Sequence, residues 1–189
     1  KDGSIHLKFN ILEGNQYFVK NIQFYGNRKF TTEFLTNLFS VQEDGVFNPI
    51  YVTQQLKKIL KQYLKSGYYM VSIVDDLQVF DNKVLIRVNI SEGKVYNIGN
   101  ISVLGLDKLK ENIVLRELLI ESGFPYNIEK IQETQTRIFS SLLFSSVEIY
   151  PVVNKNENNI IDLEIKVKEM FDRGIKGEIG FGQTESPLG

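Results

Sequence analysis

Few side chains in this sequence are equipped for chemistry, and their spacing points away from catalysis. His6 is the single histidine, and it falls on the polar side of the alternating stretch SIHLKFN, so it reads as a surface residue; a histidine-based triad would have to use it. Asp75 and Asp76 are adjacent, and neighbours on a strand point to opposite faces, so the two carboxylates cannot converge on one substrate atom. They read instead as a bulge or as charges protecting a strand edge. The run NKNENN at 154–159 resembles a calcium loop, but Asn159 stands where such a loop needs Gly and Ile165 where it needs Glu. It reads as a solvated hairpin loop. GEIGFG at 177–182 has the wrong glycine spacing for a dinucleotide turn, and Gly-x-Ser-x-Gly, phosphate-loop and His-Glu-x-x-His patterns are missing. With no cysteine in the chain, disulfides, thiolate metal sites and a cysteine nucleophile are excluded. The expectation is a non-enzymatic chain with no catalytic residue, no cofactor and no metal.

The totals fit a binding module. Of 189 residues, 42% are hydrophobic and 24% charged, the balance of a folded domain. A net charge of −1 and a pI near 6.0 lack the clustered Lys and Arg that phosphate neutralisation needs, so a nucleic-acid partner is not expected. No apolar run reaches the roughly 18 residues of a membrane helix. The opening KDGSIHLKFN has neither the basic start nor the apolar stretch of a signal peptide, so any targeting sequence is expected to have been removed or to lie upstream, and the chain reads as a piece of a longer one.

The most informative feature is an echo. EGNQYFVKNIQFYG at 13–26 returns as EGKVYNIGNISVLG at 92–105, with Glu13, Gly14, Tyr17, Asn21, Ile22 and Gly26 matched 79 residues later. The alternating apolar set Val84, Ile86, Val88 and Ile90 has counterparts at Ile5, Leu7, Phe9 and Ile11 and again at Ile161, Leu163, Ile165 and Val167, the period of a half-buried strand. Between these lie a strand at 18–25, a helix begun by Thr31 or Thr32, and a helix capped by Asn48 with Pro49 at its first position. The stripe of that second helix is Val52, Leu56, Ile59, Leu60 and Tyr63. Ser66-Gly67 ends it, and a hairpin turning at Asp81-Asn82 follows. The second copy predicts a strand at 97–104, helices at 108–121 and 128–143 with Asn127 as cap, and a hairpin of 147–153 with 159–168. The fold class is therefore α+β: two units, each strand-helix-helix-strand-strand, with a three-stranded sheet covered on one face by two helices.

That order, with Glu-Gly closing each unit, NIQFYGN and NISVLGL in the first strands, FN and YN before the second helices, and SGYYMVSI after one of them, resembles tandem POTRA domains of the BamA type. The resemblance divides the chain into 1–13, the last strand of a preceding unit; 14–92, one unit; 93–170, a membrane-proximal unit; and 171–189, a linker and the start of a first barrel strand. In that tail Ile175, Ile179 and Phe181 alternate with Lys176, Glu178 and Gly180, as a membrane-barrel strand does. The resemblance implies a place on the periplasmic side of the outer membrane, with an outer-membrane β-barrel following residue 189. It implies unfolded outer-membrane proteins and periplasmic accessory lipoproteins or chaperones as partners. A scaffold that only docks accessory factors, and the equivalent region of a related secretion or import transporter, share the layout.

A three-stranded sheet leaves edge strands whose unpaired N–H and C=O groups an extended client can complete. The segment 68–80 is expected to be such an edge, with Val71, Ile73, Leu77 and Val79 on the helices, Met70, Ser72, Val74 and Gln78 facing away, and a bulge at Asp75-Asp76. The bulge would confine pairing to Tyr69, Met70, Val71, Ser72, Ile73 and Val74. Between the units, Glu92, Gly93 and Lys94 are expected to form a hinge, with Tyr96 packed at the junction.

Overall fold

The computed structural model describes residues 3, 5, 7–11, 13–153 and 158–170. The first unit runs β1 (Phe18–Tyr25), α1 (Thr32–Phe39), α2 (Pro49–Lys65), β2 (Ser72–Phe80) and β3 (Lys83–Ser91). The second repeats the order as β4 (Asn97–Leu104), α3 (Asn112–Leu115), α4 (Ile128–Ser140), β5 (Phe144–Val153) and β6 (Ile160–Glu169). In each sheet the last strand lies in the middle, giving β1-β3-β2 and β4-β6-β5, with the first strand parallel and the hairpin partner antiparallel to it.

Local chemistry sets the helix ends. Thr31 Oγ1 accepts from Phe34 N–H at 3.2 Å at the start of α1. Asn48 and Asn127 each accept two N–H groups of their helices, at 3.0–3.2 Å, which supplies partners to donors that a helix start otherwise leaves without one. Ser66 closes α2 and Gly67 comes next at φ +90, a conformation that glycine adopts without a Cβ penalty. On α2 the side chains of Val52, Ile59 and Tyr63 are buried against Val19, Val84, Ile86, Val88 and Ile90 of the sheet. Leu56 is only partly buried, and Gln55 is the buried polar residue of that stripe. In the second unit, Ile98, Ile131, Ile161 and Leu163 form one cluster and Ile138, Phe144, Ile165 and Val167 another.

Glu92 of the Glu-Gly echo has a structural role, and Glu169 takes the same role in the second unit. Glu92 Oε1 accepts from Arg28 N–H (2.7 Å), Lys29 N–H (2.8 Å) and Tyr63 Oη–H (2.8 Å). Glu169 Oε1, 77 residues on, accepts from Asp107, Lys108 and Leu109 N–H at 2.8–3.0 Å. Each carboxylate leaves the end of the central strand and ties down the loop after the first strand. Burial opposes the charge on Glu92, but the N–H groups of Lys29 and Arg28 and the Tyr63 hydroxyl outweigh it and hold the carboxyl below its ordinary range. The N–H groups of Leu109 and Asp107 do the same for Glu169.

Several expectations are corrected. The helix expected at 108–121 is a single turn, because Glu111 makes no side-chain cap bond and the chain then bends inward, with Leu119 N–H donating to the buried Thr134 Oγ1 at 3.0 Å. Helix α4 ends at Ser140 rather than 143, since Leu142 turns left-handed at φ +60. β2 begins at Ser72. Tyr69, Met70 and Val71 form a turn held by Tyr69 N–H to Gly67 O (2.9 Å) and Val71 N–H to Tyr68 O (3.3 Å). No bulge interrupts β2, whose register with β3 is continuous from Ser72↔Ser91 to Phe80↔Lys83. The register shifts fall at Val19/Asn21, Ile98/Ile101 and Phe144/Ser146. Asp75 and Asp76 are both exposed and need no bulge to reach water.

The residues at 5, 7, 9 and 11 are exposed and form no ladder among the described residues. His6, most of NKNENN (154–157) and the tail 171–189 lie outside the described residues.

Candidate functional site

Each sheet has two outer strands, and among the described residues only one of the four is left open along its length. The first strand of each unit is closed at its start by the segment that leads into the second helix. Val19 N–H donates to Gly45 O and Phe47 N–H to Tyr17 O, both at 2.8 Å, and Asp44 N–H donates to Val19 O at 2.7 Å, so Val46 bridges Phe18. In the second unit Ile98 N–H donates to Phe124 O (2.8 Å), Tyr126 N–H to Tyr96 O (2.9 Å) and Gly123 N–H to Ile98 O (2.7 Å), with Pro125 bridging Asn97.

β5 is guarded by other means. Pro151 removes a donor within the strand, its register shifts next to Phe144, and Gln135 Nε2 on α4 donates to Val147 O at 2.7 Å. β2 carries none of these devices. It contains no proline, pairs regularly throughout, and has β3 as its one strand partner among the described residues.

The open edge is also apolar on both sides of Asp75 and Asp76, whose exposed charges are its one guard. Val74, Leu77, Val79 and Phe80 are each at least 40% exposed, an unusual concentration for one nine-residue strand. Ile73 packs on the helix side as expected. Leu77 and Val79 share that side, opposite Ile86 and Val84, but remain exposed, which corrects the expectation that they pack on the helices. On the other face Tyr25, Asn89 and Val74 stand in one row across the sheet. They line a shallow groove of about 300 Å³ with Gly26, Ser72 and Ser91. Gly26 is at φ +80, and a Cβ there would lie 2.1 Å from Ile90 O, so the floor of this groove requires glycine.

The predicted site residues are therefore divided. Ser72, Ile73 and Val74 lie on the open strand. Met70 is exposed and Val71 packs on the first core, both in the turn before it. Tyr69 is turned toward the second unit, its ring 6.1 Å from that of Tyr96 and 5.1 Å from that of Tyr126. Tyr25 and Asn89 escaped sequence reasoning, because the row they form with Val74 depends on cross-strand register.

The expected hinge residues are also unequal. Glu92 is bonded into the first unit, Gly93 is at φ +68, and Gly93 and Lys94 are exposed. Around them the units touch. Tyr96 N–H donates to Gly67 O at 2.9 Å, and Lys65 and Lys61 lie 2.7 and 3.6 Å from the Glu129 carboxylate. Lys65 in particular holds the Glu129 carboxyl below its ordinary range. Burial, with the nearby Tyr69, pushes the Tyr126 hydroxyl up to about 12, so it stays protonated at neutral pH.

Among the described residues no group of His, Cys, Asp and Glu is placed to hold a metal. The arrangement offers main-chain pairing and apolar contact.

In sequence the chain is similar to outer membrane protein assembly factors. A putative outer membrane protein assembly factor of Treponema pallidum is 21% identical over 98% of this chain and 22% of its own length. The outer membrane protein assembly factor BamA of Nitratidesulfovibrio vulgaris is 29% identical over 96% of this chain and 23% of its own. The chain thus spans about a quarter of the length of these relatives. In fold it is similar to the crystal structure of Haemophilus influenzae BamA POTRA3-5, with a TM-score of 0.74 at 19% identity, covering 83% of this chain and 63% of that one. A Haemophilus ducreyi BamA structure lacking POTRA domains 1-3 gives 0.73 at 17% identity, covering 82% and 30%. The POTRA family, described as surface antigen variable number repeat, matches residues 17–93 and again residues 96–170, and the chain belongs to that family.

Proposed function

We propose that this chain is the periplasmic client-binding and docking module of an outer-membrane protein assembly factor, and that it engages extended segments of unfolded β-barrel proteins by adding them as a strand beside β2. The observation that carries the reading is the contrast between edges: β2 is continuous, proline-free and apolar on both sides of Asp75-Asp76, whereas the other three outer strands are met by main chain at their start or interrupted by proline and a side-chain bond. Main-chain pairing is indifferent to side-chain identity, which suits many clients, and the row Tyr25, Asn89, Val74 adds a mild preference for bulky side chains at alternate positions. The chain's similarity to outer-membrane assembly factors supports a client of this kind and a membrane barrel beyond residue 189. Residues 1–13 would complete a preceding unit of the same kind.

A photoreactive side chain at position 74 should capture urea-unfolded barrel proteins of several sequences, and one at Tyr150 on the guarded β5 should not. Capture of one defined accessory protein and no unfolded clients at position 74 would favour a docking scaffold.

We further propose that Glu92-Gly93-Lys94 is the pivot between the units and that the contacts of Tyr69 limit its motion. Replacing Tyr69 with alanine removes both ring contacts, each worth about 1 kcal/mol. Residual dipolar couplings should then require separate alignment tensors for 17–91 and 96–170, where the unsubstituted chain fits one. A single tensor in both proteins would argue for a rigid junction.

A further inference from the structure

The two units end their long helices alike but with different residues. Ser66 and Ser141 close α2 and α4, and the next residue is left-handed in both: Gly67 at φ +90 and Leu142 at φ +60. In the first unit this turn is where the chain docks on the start of the second unit. Gly67 O accepts from Tyr96 N–H, and a Cβ at Gly67 would lie 2.8 Å from Val95 Cγ1, so the contact is made backbone to backbone and depends on a missing side chain.

In the second unit the equivalent turn bears a leucine that is 73% exposed, in a conformation unfavourable for it. Phe139, Leu143 and Met170 around it are exposed too. Met170 N–H donates to Leu143 O at 2.8 Å, so the turn is fastened to the point where the chain leaves the unit toward residue 171. A protruding aliphatic side chain prevents the close backbone approach that Gly67 permits. A surface that packed on this turn would have to accept apolar side chains into itself.

We infer that Phe139, Leu142 and Leu143 form an apolar knob that inserts into the interfacial region of a lipid bilayer, fixing the second unit against the membrane. The inference rests on the reading that a membrane barrel follows this unit. A short apolar turn at a water–bilayer boundary gains by burying its side chains among acyl chains, and a single one binds weakly, so it acts only where the chain is already held close to the surface.

The chain has no tryptophan, so Leu142→Trp installs a single indole. The variant is attached through a hexahistidine tag after Gly189 to vesicles of phosphatidylethanolamine and phosphatidylglycerol containing a nickel-chelating lipid. Emission at 142 should shift to the blue and be quenched by brominated acyl chains, while Leu77→Trp on the first unit should show neither effect. Phe139→Trp reports from the same knob without the left-handed position, and adding Leu142→Gly to it should abolish its quenching while raising the melting temperature. Vesicles without phosphatidylglycerol should give the same result, because the contact is apolar. No quenching at 142 and 139, or equal quenching at 77, would overturn the inference. Because no client is present, the outcome is independent of strand capture at β2.

Discussion

Replacing Glu92 with alanine is expected to destabilise the first unit by about 3 kcal/mol, since hydrogen bonds to a charged acceptor contribute roughly 1.5–3 kcal/mol and Tyr63 Oη is left buried without its partner. For a unit of this size that is a fall of roughly 15 °C in its melting midpoint. The second unit has its own anchor in Glu169, so calorimetry should resolve one early and one unchanged transition. Glu92→Gln keeps an acceptor oxygen for the same donors and should lose only about 1 kcal/mol. The pH dependence has a definite sign. The folded state holds the Glu92 carboxyl below its ordinary value of 4.5, so its stabilisation is fully present above that pH and is lost as pH falls through the folded value. Acid should therefore narrow the gap between the unsubstituted chain and Glu92→Gln.

The repeat made most of this architecture legible. Apolar alternation at Val84–Ile90 and Ile161–Val167 marks the central strands because those strands are buried, and the Asn48-Pro49 and Asn127 caps mark helix starts because a short side chain must reach the first N–H groups. Glu13 and Glu92 stood out as an echo, but the role of Glu92 did not, since its donors Arg28, Lys29 and Tyr63 lie 29 to 64 residues away. The errors share a cause. SGYYMVSI looks like a strand from its β-branched and aromatic content, yet Tyr69 leaves the sheet to meet Tyr96 and Tyr126, a tertiary contact that propensity does not register. Leu77 and Val79 obey the alternation but stay exposed, because pattern shows which face a side chain is on and not whether a helix reaches that far. The expected helix at 108–121 had its apolar spacing but lacked a cap.

The second large effect concerns the open edge. On an outer strand, successive N–H groups point alternately at the partner and away from it. Of Val74→Pro and Asp75→Pro, the one whose N–H faces β3 should break a rung of the ladder and destabilise the first unit by about 2 kcal/mol. The other should leave the circular dichroism spectrum and melting midpoint almost unchanged. That second variant loses one outward donor, worth about 1 kcal/mol, so its capture of an extended barrel segment should weaken about fivefold. Equal capture by the folded proline variant and the unsubstituted chain would remove main-chain pairing as the basis of binding.

Amide hydrogen exchange along β2 separates strand addition from every other mode of capture. An isotope-labelled chain is mixed with a peptide carrying one strand of an outer-membrane barrel protein, and exchange is followed residue by residue from Ser72 to Phe80. Strand addition predicts new protection at every second amide of β2, those facing outward, with the amides of β5 unchanged. Protection confined to the helices or to the second sheet, with the outward β2 amides exchanging as fast as before, would show that clients are held elsewhere and that β2 is not the docking edge.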